Sequence, residues 1–159
     1  MNTKPQVLVI DDDAVIGRSF DRVLSDKGYE VSTALSGEEA LKDMENTDYD
    51  VVFTDIKMPG MNGIEASKRI KTHANLSKIP PIILVTAYAR EEIMQQAEAA
   101  GLDGFLLKPV SPSVLFDTIM QAFGKDVSRE IITGGKKELS ALAMYIRALS
   151  ISPVEVSIT

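Results

Sequence analysis

Short apolar runs alternate with amphipathic stretches through most of the chain. A continuous apolar run about the length of a strand is typical of a strand that is buried on both faces of a parallel sheet. The predicted strands cover residues 7–10, 29–34, 51–54, 82–85 and 104–107. Between them, apolar residues recur at the spacing of one helix face, which predicts helices over 14–27, 36–46, 63–73, 90–100 and 113–123.

Residues that start and stop helices stand at several of these predicted boundaries. Ser36 precedes the second helix and Glu39 follows three residues later, a spacing typical of a capping box. Gly28 stands where the first helix should end. Five strands that alternate with five helices indicate an α/β fold, a doubly wound parallel sheet with right-handed crossovers.

The alternation of predicted strands and helices stops after Gly124. Residues 125–137 are polar and contain a pair of adjacent glycines, which is typical of a linker. The apolar residues that follow recur at helical spacing and predict a short amphipathic helix: Leu139, Leu142, Ala143, Ile146 and Leu149. We therefore expect a domain over 1–124 and, over 125–159, a linker, this C-terminal helix and a flexible tail.

Composition and charge narrow the functional classes. The chain of 159 residues carries a net charge of −6, which argues against a nucleic-acid surface because phosphate binding needs a basic face. Without cysteine it has neither disulfides nor thiol chemistry. No apolar run approaches the ~20 residues that span a bilayer, and the N-terminus lacks the apolar core of a signal peptide. We expect a cytoplasmic location without direct nucleic-acid or membrane contact.

Polar side chains that can bind a ligand or take part in a reaction stand where four of the predicted strands end. In chain order they are Asp11, Asp12, Asp13, Asp55, Thr86 and Lys108. In open α/β sheets the carboxyl ends of the strands meet at the edge where ligands bind, so we expect these groups to converge. The acids suit a hard divalent cation, and the hydroxyl and the ammonium suit the oxygens of a phosphoryl group.

This set of strand-end residues resembles the receiver domain of two-component response regulators. The matching pieces, in the order and spacing of that family, are Asp11-Asp12, Asp55, Thr86-Ala87 and Lys108-Pro109. The resemblance covers about residues 7–124 and implies a flavodoxin-like five-stranded sheet with the strand order 2-1-3-4-5. It also implies a phosphoacceptor signalling domain, which takes a phosphoryl group from a histidine kinase or a histidine phosphotransfer domain and switches or relays the signal.

Asp55 is the expected phosphoacceptor, since a carboxylate can attack phosphorus and form an acyl phosphate. Two negative reactants repel each other, so a divalent cation is needed between them. Mg²⁺, with Mn²⁺ as a substitute, prefers oxygen ligands of this kind. The expected ligands are Asp12 and Asp55 directly, Asp11 directly or through water, and the backbone carbonyl of Lys57. Such a domain catalyses its own phosphorylation and dephosphorylation without being a conventional enzyme.

Three further residues complete the expected site. Lys108 and Thr86 should bind phosphoryl oxygens through the ammonium and the hydroxyl. Phe105 stands three residues before the lysine, where the family carries a switch aromatic that is Tyr in many members. Phe105 lacks the hydroxyl, so the hydrogen bond that an inward Tyr could make is not available to it. Plain core packing is an equally good interpretation of Phe105. For Asp13 a helix cap is the better interpretation.

A phosphatase of the haloacid-dehalogenase type is the alternative function. That class uses an aspartate nucleophile after its first strand in an Asp-x-Asp pattern, which Asp11 and Asp13 match. It also needs an acidic pair on a strand after the lysine, and nothing after Lys108 supplies one. Asp55 would have no role in such an enzyme, which favours the receiver.

The architecture of the whole protein stays open. The sequence around the last predicted strand and helix resembles receivers of hybrid sensor histidine kinases, so the chain is either part of such a kinase or a stand-alone regulator. The apolar stripe of the predicted C-terminal helix needs a partner surface, and a homodimer is one option. No Gly-rich nucleotide loop is present, so the chain should not bind ATP.

Overall fold

Strands and helices alternate along the chain in the computed structural model, which describes residues 4–87 and 90–123. The strands are β1 (Gln6–Ile10), β2 (Glu30–Ala34), β3 (Val51–Asp55), β4 (Ile82–Thr86) and β5 (Gly104–Leu107). The helices are α1 (Ala14–Ser25), α2 (Gly37–Met44), α3 (Gly63–Lys71), α4 (Glu91–Ala99) and α5 (Pro112–Ala122). The predicted linker, helix and tail over 125–159 lie outside the described residues.

All five strands are parallel and lie in the order β2-β1-β3-β4-β5. This order confirms the doubly wound, flavodoxin-like sheet that we predicted. β1, β3 and β4 have a strand on each side, and nearly all of their side chains are buried. A sheet that is covered on both faces needs such continuous apolar strands, which explains why the sequence shows runs instead of alternation.

At their carboxyl ends, two strands extend one residue further than predicted, and both extensions reach candidate site residues. Asp55 completes β3, and Thr86 completes β4. Their backbones remain in the parallel ladder, where Asp55 pairs with Val85 and Thr86 pairs with Leu107. The two polar side chains are therefore held by the sheet itself and not by a loop.

Each helix ends one or two residues earlier than the apolar pattern predicted. The turn after Ser25 of α1 contains Gly28 at φ +94°, a conformation that glycine adopts without strain. The N–H of Tyr29 then donates to the carbonyl of Leu24 at 3.1 Å. This hydrogen bond belongs to the end of the helix, so β2 begins at Glu30 and not at residue 29.

Side-chain caps hold the first turns of three helices that start at the carboxyl edge of the sheet. Asp13, Ser36 and Asn62 each accept a backbone N–H two or three residues further on, at 2.8–3.0 Å. The predicted caps at Asp13 and Ser36 are thus confirmed. Glu39 of the predicted capping box accepts the N–H of Leu35 at 2.9 Å, one residue before the expected partner.

Aromatic rings fasten α1 and α5 to the rest of the domain. Phe20 of α1 packs edge-on against Phe53 of β3, with ring centroids 5.4 Å apart. Tyr29 packs against Phe116 of α5 at 6.2 Å and against Phe123 at 5.9 Å. The helices cover this core. Among the helices within 4–87 and 90–123, none has the length and apolar character needed to cross a bilayer.

Two carboxylates hold the amino-terminal edge of the sheet. Asp50, just before β3, accepts the N–H of Gln6 at 2.7 Å and Nζ of Lys78 at 2.6 Å. Asp103, just before β5, accepts the N–H of Ile82 at 2.8 Å. The two N–H groups belong to the first residues of β1 and β4, so each carboxylate satisfies a donor at the end of the ladder.

The pKa of Asp50 reflects these contacts. Partial burial alone would raise that pKa, but the hydrogen bonds from Lys78 and Gln6 outweigh burial and hold it below its usual value. An acid whose pKa is lowered in the folded state stabilises the fold above its unfolded pKa. That contribution is lost as the pH falls through the folded pKa.

Removal of this carboxylate should destabilise the fold in a pH-dependent way. We expect Asp50→Ala to lower the free energy of unfolding at pH 7 by about 1–2 kcal/mol, because the N–H of Gln6 loses its acceptor. The deficit relative to wild type should shrink as the pH falls below about 4, the unfolded pKa, and vanish once the pH is below the lowered folded pKa, where the folded carboxylate is protonated too.

Urea denaturation of both proteins across this pH range is the measurement. Asp48→Ala is the matched control, because it removes an acid from the same segment whose partner is the exposed hydroxyl of Ser77 and not a strand N–H. The control should cost less than about 0.5 kcal/mol. Equal losses for the two variants, or a deficit independent of pH, would contradict the proposed role of Asp50.

Candidate functional site

Two carboxylates meet at the carboxyl edge of the sheet. The register pairs Ile10 of β1 with Thr54 of β3, so Asp11 and Asp55 follow at neighbouring positions. Asp12 joins them, and one carboxylate oxygen from each of these three residues lies within 4.8 Å of the other two. The structure therefore brings together the three acids that we predicted as metal ligands.

Asp11 is the most enclosed acid of this cluster, with 4% of its surface exposed. Its Oδ1 accepts the N–H of Asp13 at 2.9 Å, and its Oδ2 accepts Nζ of Lys108 at 2.9 Å. Both oxygens of Asp11 thus have a donor, as a buried charge requires. Asp12 is exposed, whereas Asp13 lies outside the cluster and accepts the N–H of Val15 as the cap of α1.

Lys108 bridges the two strand ends from β5. Its Nζ lies 2.9 Å from Oδ2 of Asp11 and 3.5 Å from Oδ2 of Asp55. Its backbone N–H donates to the carbonyl of Thr86 at 2.9 Å, which continues the pairing of β5 with β4 by one residue. The peptide bond between Lys108 and Pro109 is cis. The two distances from Nζ place the ammonium between two acids, where it offsets their mutual repulsion.

The two oxygens of Asp55 have different surroundings. Oδ1 accepts the N–H of Ile56 at 2.9 Å, which fixes the orientation of the carboxylate. Oδ2 lies 3.5 Å from Nζ of Lys108, longer than an ordinary N–H···O hydrogen bond. The side chain is 12% exposed. Oδ2 is thus the oxygen that is placed to bind a ligand arriving at the edge.

The pKa values at this edge are shifted by burial and by neighbouring charges. Burial raises the pKa of Asp55, and the charge of Asp11 raises it further, against the opposing effects of Lys108 and the N–H of Ile56. Burial would lower the pKa of Lys108, but the hydrogen bond to Asp11 and the charges of both acids raise it instead. The ammonium therefore stays protonated at neutral pH, and the ionised form of Asp55 is disfavoured.

Thr86 and Phe105 are buried beside this edge, with 1% and 4% of their surfaces exposed. Thr86 pairs with Leu107 across the two strands, and Phe105 stands two residues before Leu107 on the same side of β5. The threonine and the aromatic ring therefore lie diagonally on one face of the sheet. This placement agrees with either interpretation of Phe105, core packing or a switch.

The loop after β3 carries Lys57, whose carbonyl we predicted as a metal ligand. The side chain of Lys57 is exposed. A hydrogen bond of 2.9 Å from the N–H of Gly63 to the carbonyl of Ile56 closes the loop. This closure keeps residues 57–62 beside the strand end that carries Asp55.

Sequence reasoning missed two contributors to the site. One is the N–H of Ile56, which holds Asp55, and the other is Gly63, whose N–H closes the loop. A backbone donor leaves no trace in the residue type, so nothing in the sequence indicates Ile56. For Gly63 there was a weak signal, since Asn62 followed three residues later by Glu65 is typical of a helix start.

The geometry does not favour the phosphatase alternative. Asp11 is buried with a donor on each oxygen, and Asp13 is directed to the cap of α1, so the Asp-x-Asp pattern has no common centre. Within the part of the chain that the structure describes, the carboxylates that share a centre are Asp11, Asp12 and Asp55. Asp55 is therefore the better placed nucleophile.

Known proteins have sequences similar to that of this chain. Residues 7–120 match the sequence profile of the family described as "Response regulator receiver domain". Chemotaxis protein CheY-3 of Vibrio cholerae is 32% identical over 124 residues, which cover 77% of this chain and 95% of that protein. The CAI-1 autoinducer sensor kinase/phosphatase CqsS of the same species is 35% identical over 115 residues, which cover 72% of this chain and 17% of that protein.

Solved structures share the fold. Chemotaxis protein CheY4 of Vibrio cholerae superimposes with a TM-score of 0.71 at 33% identity, covering 76% of this chain and 99% of that one. The receiver domain of sensor histidine kinase PA1611 from Pseudomonas aeruginosa superimposes with a TM-score of 0.69 at 25% identity, covering 77% and 100%. The PA1611 structure has a magnesium ion coordinated in its active site cleft.

The raised pKa of Asp55 predicts that loss of its charge stabilises the fold. We expect Asp55→Asn to raise the free energy of unfolding at pH 7 by on the order of 1 kcal/mol, because the amide keeps the size and removes the disfavoured charge. An acid with a raised folded pKa destabilises the fold above that pKa. The gain should therefore shrink as the pH falls through the folded pKa and become small below the unfolded pKa of about 3.9, where the carboxylate is mostly protonated in both states.

Urea denaturation without divalent ions, at pH 7 and at about pH 3.5, checks this expectation. Asp13→Asn is the matched control, since asparagine caps a helix about as well as aspartate and Asp13 lies outside the acidic cluster. Destabilisation by Asp55→Asn at pH 7 would show that the attraction to Lys108 outweighs burial and the charge of Asp11.

Proposed function

The chain belongs to the family of response regulator receiver domains, and we propose that Asp55 is the residue on which it accepts a phosphoryl group. One observation carries the assignment of the residue. Oδ2 of Asp55 is a partly buried carboxylate oxygen that lies 3.5 Å from the Lys108 ammonium and beside two further acids. The signal is then either relayed to another protein or read from a change in the shape of this domain.

The proposed transfer uses the groups that this edge gathers. Oδ2 of Asp55 attacks the phosphorus atom of a phosphohistidine on the donor protein. A P–O bond forms and the P–N bond breaks, and its electron pair stays on the ring nitrogen of the donor. The product is an acyl phosphate on Asp55. Nζ of Lys108 and the hydroxyl of Thr86 would bind the phosphoryl oxygens as charge develops on them.

We propose Mg²⁺, with Mn²⁺ as a substitute, as the ion of the acidic cluster. Three carboxylates whose oxygens lie within 4.8 Å of one another suit a hard cation. Asp11, Asp12 and Asp55 would hold it together with the backbone carbonyl of Lys57. When bound, the ion supplies positive charge between the carboxylate and the phosphoryl group. The magnesium ion in the related PA1611 receiver domain supports this choice.

A histidine kinase or a histidine phosphotransfer protein is the proposed phosphoryl donor, because receiver domains work with such proteins in two-component signalling. The match to nearly all of CheY-3 is what a stand-alone regulator would show, and the match to a small part of CqsS is what a hybrid kinase would show. We propose 1–124 as the receiver domain. A homodimer through the apolar stripe of 125–159 and a cytoplasmic location stay predictions.

Labelling with a small phosphodonor tests the assignment of Asp55. We expect acetyl phosphate to label wild type in the presence of Mg²⁺ and removal of Mg²⁺ with a chelator to abolish labelling. Asp55→Asn should not be labelled, since an amide cannot form an acyl phosphate. Mass spectrometry of the modified peptide is the measurement, with circular dichroism to confirm that the variant is folded.

Asp13→Asn is the matched control for this experiment. It removes a carboxylate of the same edge that caps α1 and lies outside the acidic cluster, so labelling should persist. Labelling of Asp55→Asn at the wild-type level, or modification of Asp11 in wild type, would refute the assignment.

We propose that Thr86 and Phe105 transmit the modification. A phosphoryl group on Asp55 adds negative charge and strong acceptor oxygens, towards which the Thr86 hydroxyl can turn. The space that Thr86 leaves lies diagonally opposite Phe105 on the same face of the sheet. Because Phe105 is already buried and has no hydroxyl, its rearrangement gains little, so the coupling should be weaker than in family members that carry Tyr.

Backbone NMR spectra with and without beryllofluoride and Mg²⁺ measure this coupling. We expect shifts at Thr86 and across 102–115, since these residues surround the proposed switch. Thr86→Ala should reduce the shifts across 102–115 while the shifts around Asp55 remain. Changes confined to the immediate surroundings of Asp55 in wild type would mean that the domain is a phosphoryl relay and not a conformational switch.

A further inference from the structure

The first residue of α3 lies closer to the backbone of Asp55 than any side chain would allow. A Cβ atom added to Gly63 would stand 1.9 Å from the carbonyl oxygen of Asp55, 2.8 Å from its carbonyl carbon and 3.0 Å from Cα of Ile56. All three contacted atoms belong to the backbone, which cannot swing aside as the end of a side chain can. In a close-packed interior, an added methyl group here must displace either α3 or the peptide group between Asp55 and Ile56.

The requirement for glycine at this position is steric. Gly28, Gly60 and Gly101 adopt positive φ angles of 94°, 76° and 76°, a conformation that favours glycine for backbone reasons. Gly63 does not share that conformation. Alanine would also be the better helix former at this position, so a loss caused by Gly63→Ala points to the contacts with the backbone of Asp55 and Ile56.

Hydrogen bonds hold Gly63 against the strand end. Its N–H donates to the carbonyl of Ile56 at 2.9 Å, and its carbonyl accepts the buried hydroxyl of Ser67 at 2.7 Å. Asn62 caps the helix by accepting the N–H of Glu65 at 2.8 Å. The start of α3 is thus fixed to the peptide that follows Asp55.

The same peptide orients the carboxylate. The N–H of Ile56 binds Oδ1 of Asp55 at 2.9 Å, and the carbonyl of Asp55 accepts the hydroxyl of Thr54 at 3.0 Å. A movement of this peptide would therefore turn the Asp55 side chain. It would also shift the loop that begins with Lys57.

We propose that Gly63 is a positioning residue for the phosphoacceptor. Because it has no side chain, α3 can touch the peptide between Asp55 and Ile56, and this contact sets where Oδ2 of Asp55 lies relative to Asp11 and Lys108. The inference rests on the proposed function, since it assumes that Asp55 accepts a phosphoryl group beside a divalent ion.

Gly63→Ala tests the proposal. We expect its Mg²⁺ affinity, measured by NMR titration, to fall about tenfold, the usual size of an effect on metal-ligand support. Labelling by acetyl phosphate at saturating Mg²⁺ should slow by on the order of 100-fold, as a displacement of about 1 Å can cause. Without Mg²⁺, the amide hydrogen of residue 63 should exchange with solvent faster in this variant than in wild type. The added methyl group strains the hydrogen bond from this amide to the carbonyl of Ile56.

Gly104→Ala is the matched control. A Cβ there would meet Cδ1 of Ile83 at 2.7 Å, also too close, but this contact is with the end of a flexible side chain. Gly104 begins β5 and so lies at the far end of the strand from Lys108. We expect the control to lose some stability but to keep Mg²⁺ affinity and labelling within about twofold of wild type. Wild-type Mg²⁺ affinity and labelling in folded Gly63→Ala would overturn the proposal.

A second pair of variants tests the positioning role of Gly63 if Gly63→Ala does not fold. Asn62→Ala removes the cap of α3, and Ser36→Ala removes the equivalent cap of α2, each at a cost of about 1 kcal/mol. We expect Mg²⁺ affinity to fall only in Asn62→Ala, because of these two caps only Asn62 belongs to the helix that Gly63 begins. Equal Mg²⁺ affinity in these two variants would overturn the proposal.

Failure of this inference can be separated from failure of the proposed function. If wild type is modified at a residue other than Asp55, the proposed phosphoacceptor is wrong. The Mg²⁺ titrations and the hydrogen exchange of residue 63 would still report whether Gly63 positions the strand end.

Discussion

The repulsion between Asp11 and Asp55 at one half-buried edge of the sheet is the interaction on which this site depends. Parallel strands deliver both carboxylates to adjacent positions, and burial makes their charges harder to accommodate than in water. Nζ of Lys108 lies within 3.5 Å of a carboxylate oxygen of each and neutralises one of the two negative charges. With Asp12, three acids and one ammonium leave two negative charges, which is the charge that a divalent cation offsets.

The two edges of the sheet use the same residue type for different purposes. At the amino-terminal edge, Asp50 accepts a strand N–H and a lysine, and its pKa is lowered, so its charge stabilises the fold. At the carboxyl edge, burial and the neighbouring charge of Asp11 raise the pKa of Asp55, so its charge costs stability. A site that reacts with a phosphoryl group and a cation needs such an unsatisfied charge, because a fully compensated carboxylate gains less from binding either.

Much of the fold and of the site could be predicted, for different reasons in each case. The apolar runs of β1, β3 and β4 are long and uninterrupted, since these strands are buried on both faces, so their positions were clear. The strand order came from the resemblance to receiver domains. The exact strand ends at Asp55 and Thr86 escaped prediction, because polar residues at the end of an apolar run look like the start of a loop while their backbones still pair.

By itself, the sequence determined which residue types stand at the carboxyl ends of four strands, and therefore that acids, a hydroxyl and an ammonium would gather at one edge. That much follows from chain order, since all parallel strands end at the same side of the sheet. Only the tertiary structure decided which oxygen of Asp55 is held by Ile56 and which lies towards Lys108, and how closely Gly63 approaches the strand end. These relations depend on distances of a few ångströms between segments that are far apart in the chain, such as Asp11 and Lys108, which are 97 residues apart. Residue types and their spacing carry no record of such distances, because packing of the whole domain sets them.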